Sequence, residues 1–371
     1  MMVSPISSRT YGVLSDGREV VAWSLTGRGG LALEVITLGG IVTRMLAPGR
    51  DGRADDVVLG FNDLALYAAG HPYFGAITGR VTGRITGAAF TLDGQTYQLA
   101  RNDPPNHLHG GARGFDKRIW YASAVNRTDC APSLRLAYFS PDGEEGYPGN
   151  VHVTVTYTVT NENVFLIESE ATADQTTPLS LAHHSYFNLA GEGSGSIADH
   201  QLEIFANKFV PTDEHLTLSG RLESTACQGN DFLRPRRLGD AIPLLFQQHG
   251  DLYALPARAA GILAPAARLR DAASGRVLNV STTEDYLQLY TGSKLNGHRA
   301  GKSGTAYAPY AGLCLECHGY PDASNASLRD GILLHPGITQ RHATAYAFTV
   351  DVAEAPPADG PAQAAGRTSQ E

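Results

Sequence analysis

Two histidines and one glutamate are the residues of this chain best placed to do chemistry. Glu316 lies inside the apolar run Leu313–Cys317, LCLEC. Burying a carboxylate in such a strand is costly unless it is paired or used. His109 lies in NHLHGGARGFDKRIW, Asn106–Trp120, and His184 in HHSYFNLAG, His183–Gly191. Three further segments mix titratable side chains with turn glycines: GRVTGRI at Gly79–Ile85, QHGDLYAL at Gln248–Leu255 and GLCLECHGYPDASN at Gly312–Asn325. Histidine titrates near neutrality, so a His/Glu set supplies a proton donor and a proton acceptor. For each residue taken singly, the competing reading is an ordinary hydrogen-bonded core position.

Metal chemistry is the other use of such residues. His107 and His109 form an H-x-H, and on a strand both rings point to one side. A metal-binding cupin places a glutamate a few residues later, but here Gly110, Gly111, Ala112, Arg113 and Gly114 follow. Cys314 and Cys317 form one C-x-x-C with no second pair to complete a structural zinc site. They are expected to be two small buried side chains. No metal and no cofactor is expected.

Strands must position these residues. Val151–Thr160 reads VHVTVTYTVT, the period of a half-buried strand. Shorter alternations occur at Leu134–Phe139, Phe165–Ala171, Gln201–Phe205, Arg276–Thr282, Tyr286–Tyr290 and Ala343–Val352. Asp-Gly pairs at 16–17, 51–52, 93–94 and 142–143 mark turns. Helix signals are few: a short one over Asn62–Ala69, capped by Asn62 or Asp63, and one over Arg236–Gln248 that Pro243 interrupts. The pattern predicts an all-β fold, a large antiparallel β-sandwich spanning 1–352 as a single domain. Residues 353–371, from Ala353, lack any such pattern and are expected to be a flexible tail.

Bulk composition bounds the function. The 371 residues are 42% hydrophobic and carry a net charge of -8, with no basic block, so nucleic acid is not an expected partner. The N-terminus has no basic stretch followed by an apolar run, and no segment approaches a membrane span. Four cysteines are too sparse for a disulfide scaffold, which fits a reduced, cytoplasmic setting.

Taken in order, the motifs resemble those of the aldose 1-epimerase (galactose mutarotase) family. NHLHGG with GFDKRIW resembles its histidine loop; HSYFNLAG, SPDGEEGYPG (Ser140–Gly149), YFGAITGRVTGRI (Tyr73–Ile85), GLCLECHGYPDASN and LLHPGITQ (Leu333–Gln340) are further matches, over roughly residues 10–350. The resemblance implies a β-sandwich with the sugar in an open cleft on one face. It implies that His184 is the acid that protonates the ring oxygen and Glu316 the base that takes the C1 hydroxyl proton. It further implies that His109 is a second active-site histidine and that Arg84 binds sugar hydroxyls. The partner implied is a small-molecule sugar, the protein acting as a monomer or homodimer without nucleic acid or membrane.

Some positions depart from the family pattern. Gly83-Arg84 stands where the family often has Asn-Arg, His183 precedes His184 where Asn is usual, and His318 replaces a common amide. Asp251 is the best match to a substrate-binding aspartate of an F-D-H motif. These changes lie on the recognition side and imply that the preferred sugar has moved. Two other readings stay open: a mutarotase-like protein that binds or acts on a modified sugar, and a glycoside hydrolase or lyase, for which a second well-placed carboxylate would be needed.

Overall fold

The computed structural model describes residues 5–322 and 329–351. The tail from Ala353 lies outside them, as do the last three residues of the Gly312–Asn325 segment. The VHVTVTYTV alternation becomes the strand Val151–Val159, with Val151, Val153, Val155, Tyr157 and Val159 all buried. It lies within a nine-stranded sheet. The order across that sheet is Tyr121–Val125, Ser133–Ser140, Val151–Val159, Val164–Ala173, Gln340–Val350, Arg276–Thr282, Ala264–Arg270, Gln201–Ile204 and Arg236–Arg237.

A five-stranded sheet faces the same core. Its order is Glu223–Ser224, Lys208–Val210, Leu252–Ala254, Tyr286–Tyr290 and Cys314–His318. Leu287, Leu289, Leu315 and Cys317 join Tyr157, Phe165 and Tyr346 in one hydrophobic cluster. A second five-stranded sheet, the meander from Ile6–Val13 to Ala54–Asp56, contributes Leu25, Leu33 and Val35 to that cluster. Every strand pairing within these sheets is antiparallel, and helices are short, so the fold is the expected antiparallel β-sandwich.

Local chemistry explains the connections. Asp93 and Gly94 both have positive φ, +50° and +80°, and join Ala89–Leu92 to Gln95–Gln98. This is what a two-residue hairpin requires. The first helix is Leu64–Ala68, and the Asp63 carboxylate caps it by accepting from the Ala65 N–H at 2.8 Å. The helix expected over Arg236–Gln248 does not form as one element. Arg236–Arg237 is a strand, Leu238–Ala241 is one helical turn, and 3₁₀ turns follow at Ile242–Leu244 and Phe246–Gln248. Pro243 withholds an N–H, and Gln247 at φ +48° breaks the last turn. Two short ladders carry the chemistry: Arg84–Ile85 with His107–Leu108, and Ile77–Thr78 with Ala182–His183.

Candidate active site

All five residues of Cys314–His318 are buried. Alternation sends Leu315 and Cys317 into the core and leaves Cys314, Glu316 and His318 on the opposite face. Directly across the ladder, Tyr290 pairs with Cys314, Gln288 with Glu316 and Tyr286 with His318. The three-residue spacing therefore turns Cys314 and Cys317 to opposite faces, so they cannot jointly hold one ion. Both are buried and unpaired, as expected of small core side chains.

His184 meets this face from the other side. Its N–H donates to the Ala76 carbonyl at 3.0 Å, and the Gly75 N–H donates to its carbonyl at 2.9 Å. His184 Nε2 lies 3.5 Å from Glu316 Oε1, and its Nδ1 lies 3.5 Å from Cys314 Sγ. The second carboxylate oxygen, Oε2, is buried without a hydrogen-bond partner. Burial pushes the Glu316 carboxyl up to about 8, partly offset by Arg84, and pushes His184 down to about 4. His183 turns into the core against Tyr157, Phe165 and Tyr346, with Nε2 2.7 Å from Ser185 Oγ.

His107 and His109 do not share a side. The strand ends at Leu108, and His109 takes φ +50°. His107 is instead held in the interior by the Ala100 carbonyl and Tyr147 Oη, both at 2.8 Å. His109 exchanges two bonds with Gly83: its N–H donates to the Gly83 carbonyl at 3.0 Å, and the Gly83 N–H donates to its Nδ1 at 3.1 Å. An Nδ1 that accepts leaves the neutral ring's proton on Nε2. Burial keeps the ring neutral, well below its usual pKa. The turn after it needs glycine: a Cβ on Gly110, at φ +82°, would lie 1.7 Å from the Gly79 carbonyl oxygen. Glu145, from the SPDGEEGYPG motif, ties this loop down by accepting from the Ala112 and Arg113 N–H groups.

His109, His184 and Glu316 present donor atoms within 4.8 Å of one another. Such a set can hold a divalent ion. The Gly83 bond argues for a different use, because it fixes an N–H at His109 Nε2 rather than a free lone pair. The cluster is better suited to hydrogen bonding and proton transfer.

Arg84 points into the same cleft, of about 200 Å³. Its Nε donates to Asp103 Oδ2 at 2.7 Å, leaving the terminal nitrogens without partners among the described residues. Asp322 accepts from Thr86 N–H and Oγ1, joining the loop after His318 to the one carrying Arg84. Asp251 does not reach the cleft. It is buried, bonded to Asn230 Nδ2 at 3.0 Å, and its carboxyl is pushed up to about 6 by burial. His249, two residues earlier, lines the cleft instead and rests against Tyr290, ring centroids 4.7 Å apart.

A family model for aldose 1-epimerase matches residues 22–347. The chain belongs to the aldose 1-epimerase family. The galactose mutarotase of Sus scrofa is 40% identical over 349 residues, 94% of this chain and 100% of that protein. The aldose 1-epimerase of Escherichia coli K12 is 31% identical over 351 residues, 93% and 99% of the two chains. Among solved structures, galactose 1-epimerase from Lactobacillus acidophilus aligns with a TM-score of 0.81 at 25% identity, covering 93% of this chain and 98% of that one. An aldose epimerase homologue from C. elegans aligns at 0.80 and 27%, covering 88% and 98%.

In this aldose 1-epimerase, further cleft residues lie in segments the sequence marks without being singled out themselves, Tyr73 in YFGAITGRVTGRI and Gln288 and Tyr290 in the Tyr286–Tyr290 alternation. Tyr73 lies 4.6 Å from the His109 ring and 5.6 Å from His184, centroid to centroid. Gln288, Tyr290 and Lys294 form part of the wall. The strand Tyr286–Tyr290 was legible, and pairing it with LCLEC would have put Gln288 opposite Glu316. Nothing in the sequence points to Lys294.

Proposed function

We propose that this mutarotase interconverts the α and β anomers of a free aldose with His184 as general acid and Glu316 as general base. The observation that carries this reading is the buried imidazole–carboxylate pair at 3.5 Å, with one carboxylate oxygen unpartnered. Glu316 takes the proton of the C1 hydroxyl while His184 protonates the ring oxygen. The C1–O5 bond breaks, the aldehyde turns about C1–C2, and the ring closes on the other face with the roles reversed. The Nε2–H of His109 steadies the oxygen that gains or loses charge, and Arg84 holds hydroxyls. Each positioned acid or base supplies a factor of about 10² to 10⁴. The balance needs neither a redox partner nor a cofactor.

Glu316 is buried at a cost that a purely sugar-binding protein has no need to bear, which favours catalysis over binding. No helix of the described residues is long and apolar enough to cross a membrane. Four unpaired cysteines support a reducing, cytoplasmic setting. Exchange NMR between the anomers of a panel of aldoses tests the activity. Faster exchange with protein than with buffer is expected; no acceleration for any sugar contradicts it.

A further inference from the structure

The catalytic cleft opens beside a second cavity of about 510 Å³, and Pro72 and Lys294 line both. The wall of this second cavity contains no aspartate or glutamate. It does contain Lys294, Arg299 and His298, in a chain whose net charge is -8. Arg299 donates through Nη1 to the carbonyls of Gly70 and Leu66, and neither it nor Lys294 forms an ion pair among the described residues. His71 adds a polar group: both ring nitrogens are shielded from solvent and lack a partner.

The main chain sets Lys294 in place. Its N–H donates to Tyr290 Oη at 3.0 Å, so it follows directly on the strand that faces Glu316. Gln288 stands opposite Glu316, and Tyr290 is one pleat repeat further, about 6.8 Å along the strand. Lys294 therefore stands on the Tyr290 side of the cleft, displaced along the strand from the proton-transfer pair. Asp251, the carboxylate that could have gripped neutral hydroxyls, is turned away from the cleft to Asn230.

Resting on the mutarotase reading, we propose that the preferred substrate is a free aldose bearing an anionic group, carboxylate or phosphate, at the end remote from C1. Lys294 binds that anion at the junction of the two cavities, and Arg299 raises the positive potential beyond it. Lys294, exposed and in no ion pair among the described residues, gains a charge-assisted hydrogen bond when such a group arrives, the nearby Asp103 carboxylate being held by Arg84 Nε.

Exchange NMR on the full chain with galactose and glucose, galacturonate and glucuronate, and glucose 6-phosphate tests this. The expected result is a higher kcat/KM for one anionic class than for the neutral sugars, narrowing as salt is added. Preference for uronates identifies a carboxylate, preference for the phosphate ester a phosphoryl group. Lys294→Met is expected to lower the anionic-to-neutral ratio about tenfold, mainly through KM, the scale of one exposed charged contact. Lys294→Glu is expected to lower it further. Neutral sugars turned over as well as both anionic classes, or an unchanged ratio in Lys294→Met, overturn the proposal and leave the mutarotase reading standing. No exchange of any sugar overturns both.

Discussion

His184 Nε2 lies 3.5 Å from Glu316 Oε1, and each side chain is 3% exposed. Ring opening moves a proton from the C1 hydroxyl to the carboxylate and another from the imidazolium to the ring oxygen. The pair therefore holds one proton before the step and one after it. That one-proton state exists between the pair's two apparent pKa values, whichever residue carries the proton. With Glu316 raised to about 8 and His184 lowered to about 4, kcat/KM is expected to be bell-shaped, with limbs near those values. At these values the single proton sits mainly on Glu316, so the imidazolium–carboxylate form that reacts is a fixed minor share of the one-proton state, and below the acid limb both groups are protonated and no base is free. On the alkaline limb the imidazole has no proton to give. Polarimetry corrected for buffer mutarotation checks this, and a flat profile across both limbs contradicts it.

The tautomer of His109 makes a sharper prediction. Gly83 N–H donates to its Nδ1 at 3.1 Å, so Nε2–H faces the cluster. Glutamine places an amide N–H near that position, whereas leucine offers none. His109→Leu is expected to lower kcat by about 10² to 10³, the usual cost of one preorganised donor. His109→Gln should retain clearly more activity. Equal losses in the two variants would remove the donor role.

Arg84 and Asp251 are expected to part company. Arg84→Met removes a cleft guanidinium and should lower kcat/KM by about 10- to 100-fold, the worth of one or two charged hydrogen bonds. Asp251 faces Asn230, so Asp251→Asn should leave anomer exchange within about twofold. Its effect is on stability. The folded carboxyl is raised from 3.8 to about 6, so the fold prefers the neutral form. Stability is fully present below the unfolded pKa and falls as pH rises towards the folded one, by about 3 kcal/mol at most. Asparagine stays neutral and can also donate to Asn230 Oδ1, which lacks a partner. Asp251→Asn should thus melt higher than wild type at neutral pH, a difference that thermal unfolding reads and that vanishes below about pH 4. A higher-melting variant that has lost exchange activity would return Asp251 to the cleft.

Gly83 explains one departure from the family pattern. At φ +87°, a Cβ here would lie 2.7 Å from Pro321 Cβ. The loop Gly319–Asp322 fills the space an asparagine side chain would need. Gly83→Asn is expected to destabilise the protein by about 1–2 kcal/mol and to lower kcat by displacing His109. Differential scanning calorimetry with a kcat measurement checks both; a variant as stable and active as wild type contradicts the packing argument.

Much of this was legible because period-2 burial and turn chemistry are local. Arg276–Thr282 and Tyr286–Tyr290 form with the bounds their alternation predicts, and the Asp93-Gly94 pair closes a hairpin. Glu316 stood out because a carboxylate in an apolar strand needs a reason. The N-terminal meander was not singled out, since Ile6–Val13 is mostly exposed and its polar run gives no face. His107 and His109 diverge because one residue leaves the extended region, which spacing alone does not reveal. His249 enters the cleft in place of Asp251 for a similar reason: the turn at Gln247–Gly250, with positive φ at Gln247, Gln248 and Gly250, decides which side chain faces it. Lys294 depends on a tertiary meeting of two cavities and leaves no mark in sequence.

The central claim is that the His184–Glu316 pair transfers the protons at the anomeric centre. Glu316→Gln keeps the shape and burial of the side chain while removing the base. Exchange NMR with wild type and this variant, both folded by circular dichroism, is the most direct measurement. The account predicts anomer exchange above buffer for wild type and a loss of about 10² to 10⁴ in the variant. A folded Glu316→Gln protein that exchanges anomers as fast as wild type would contradict it.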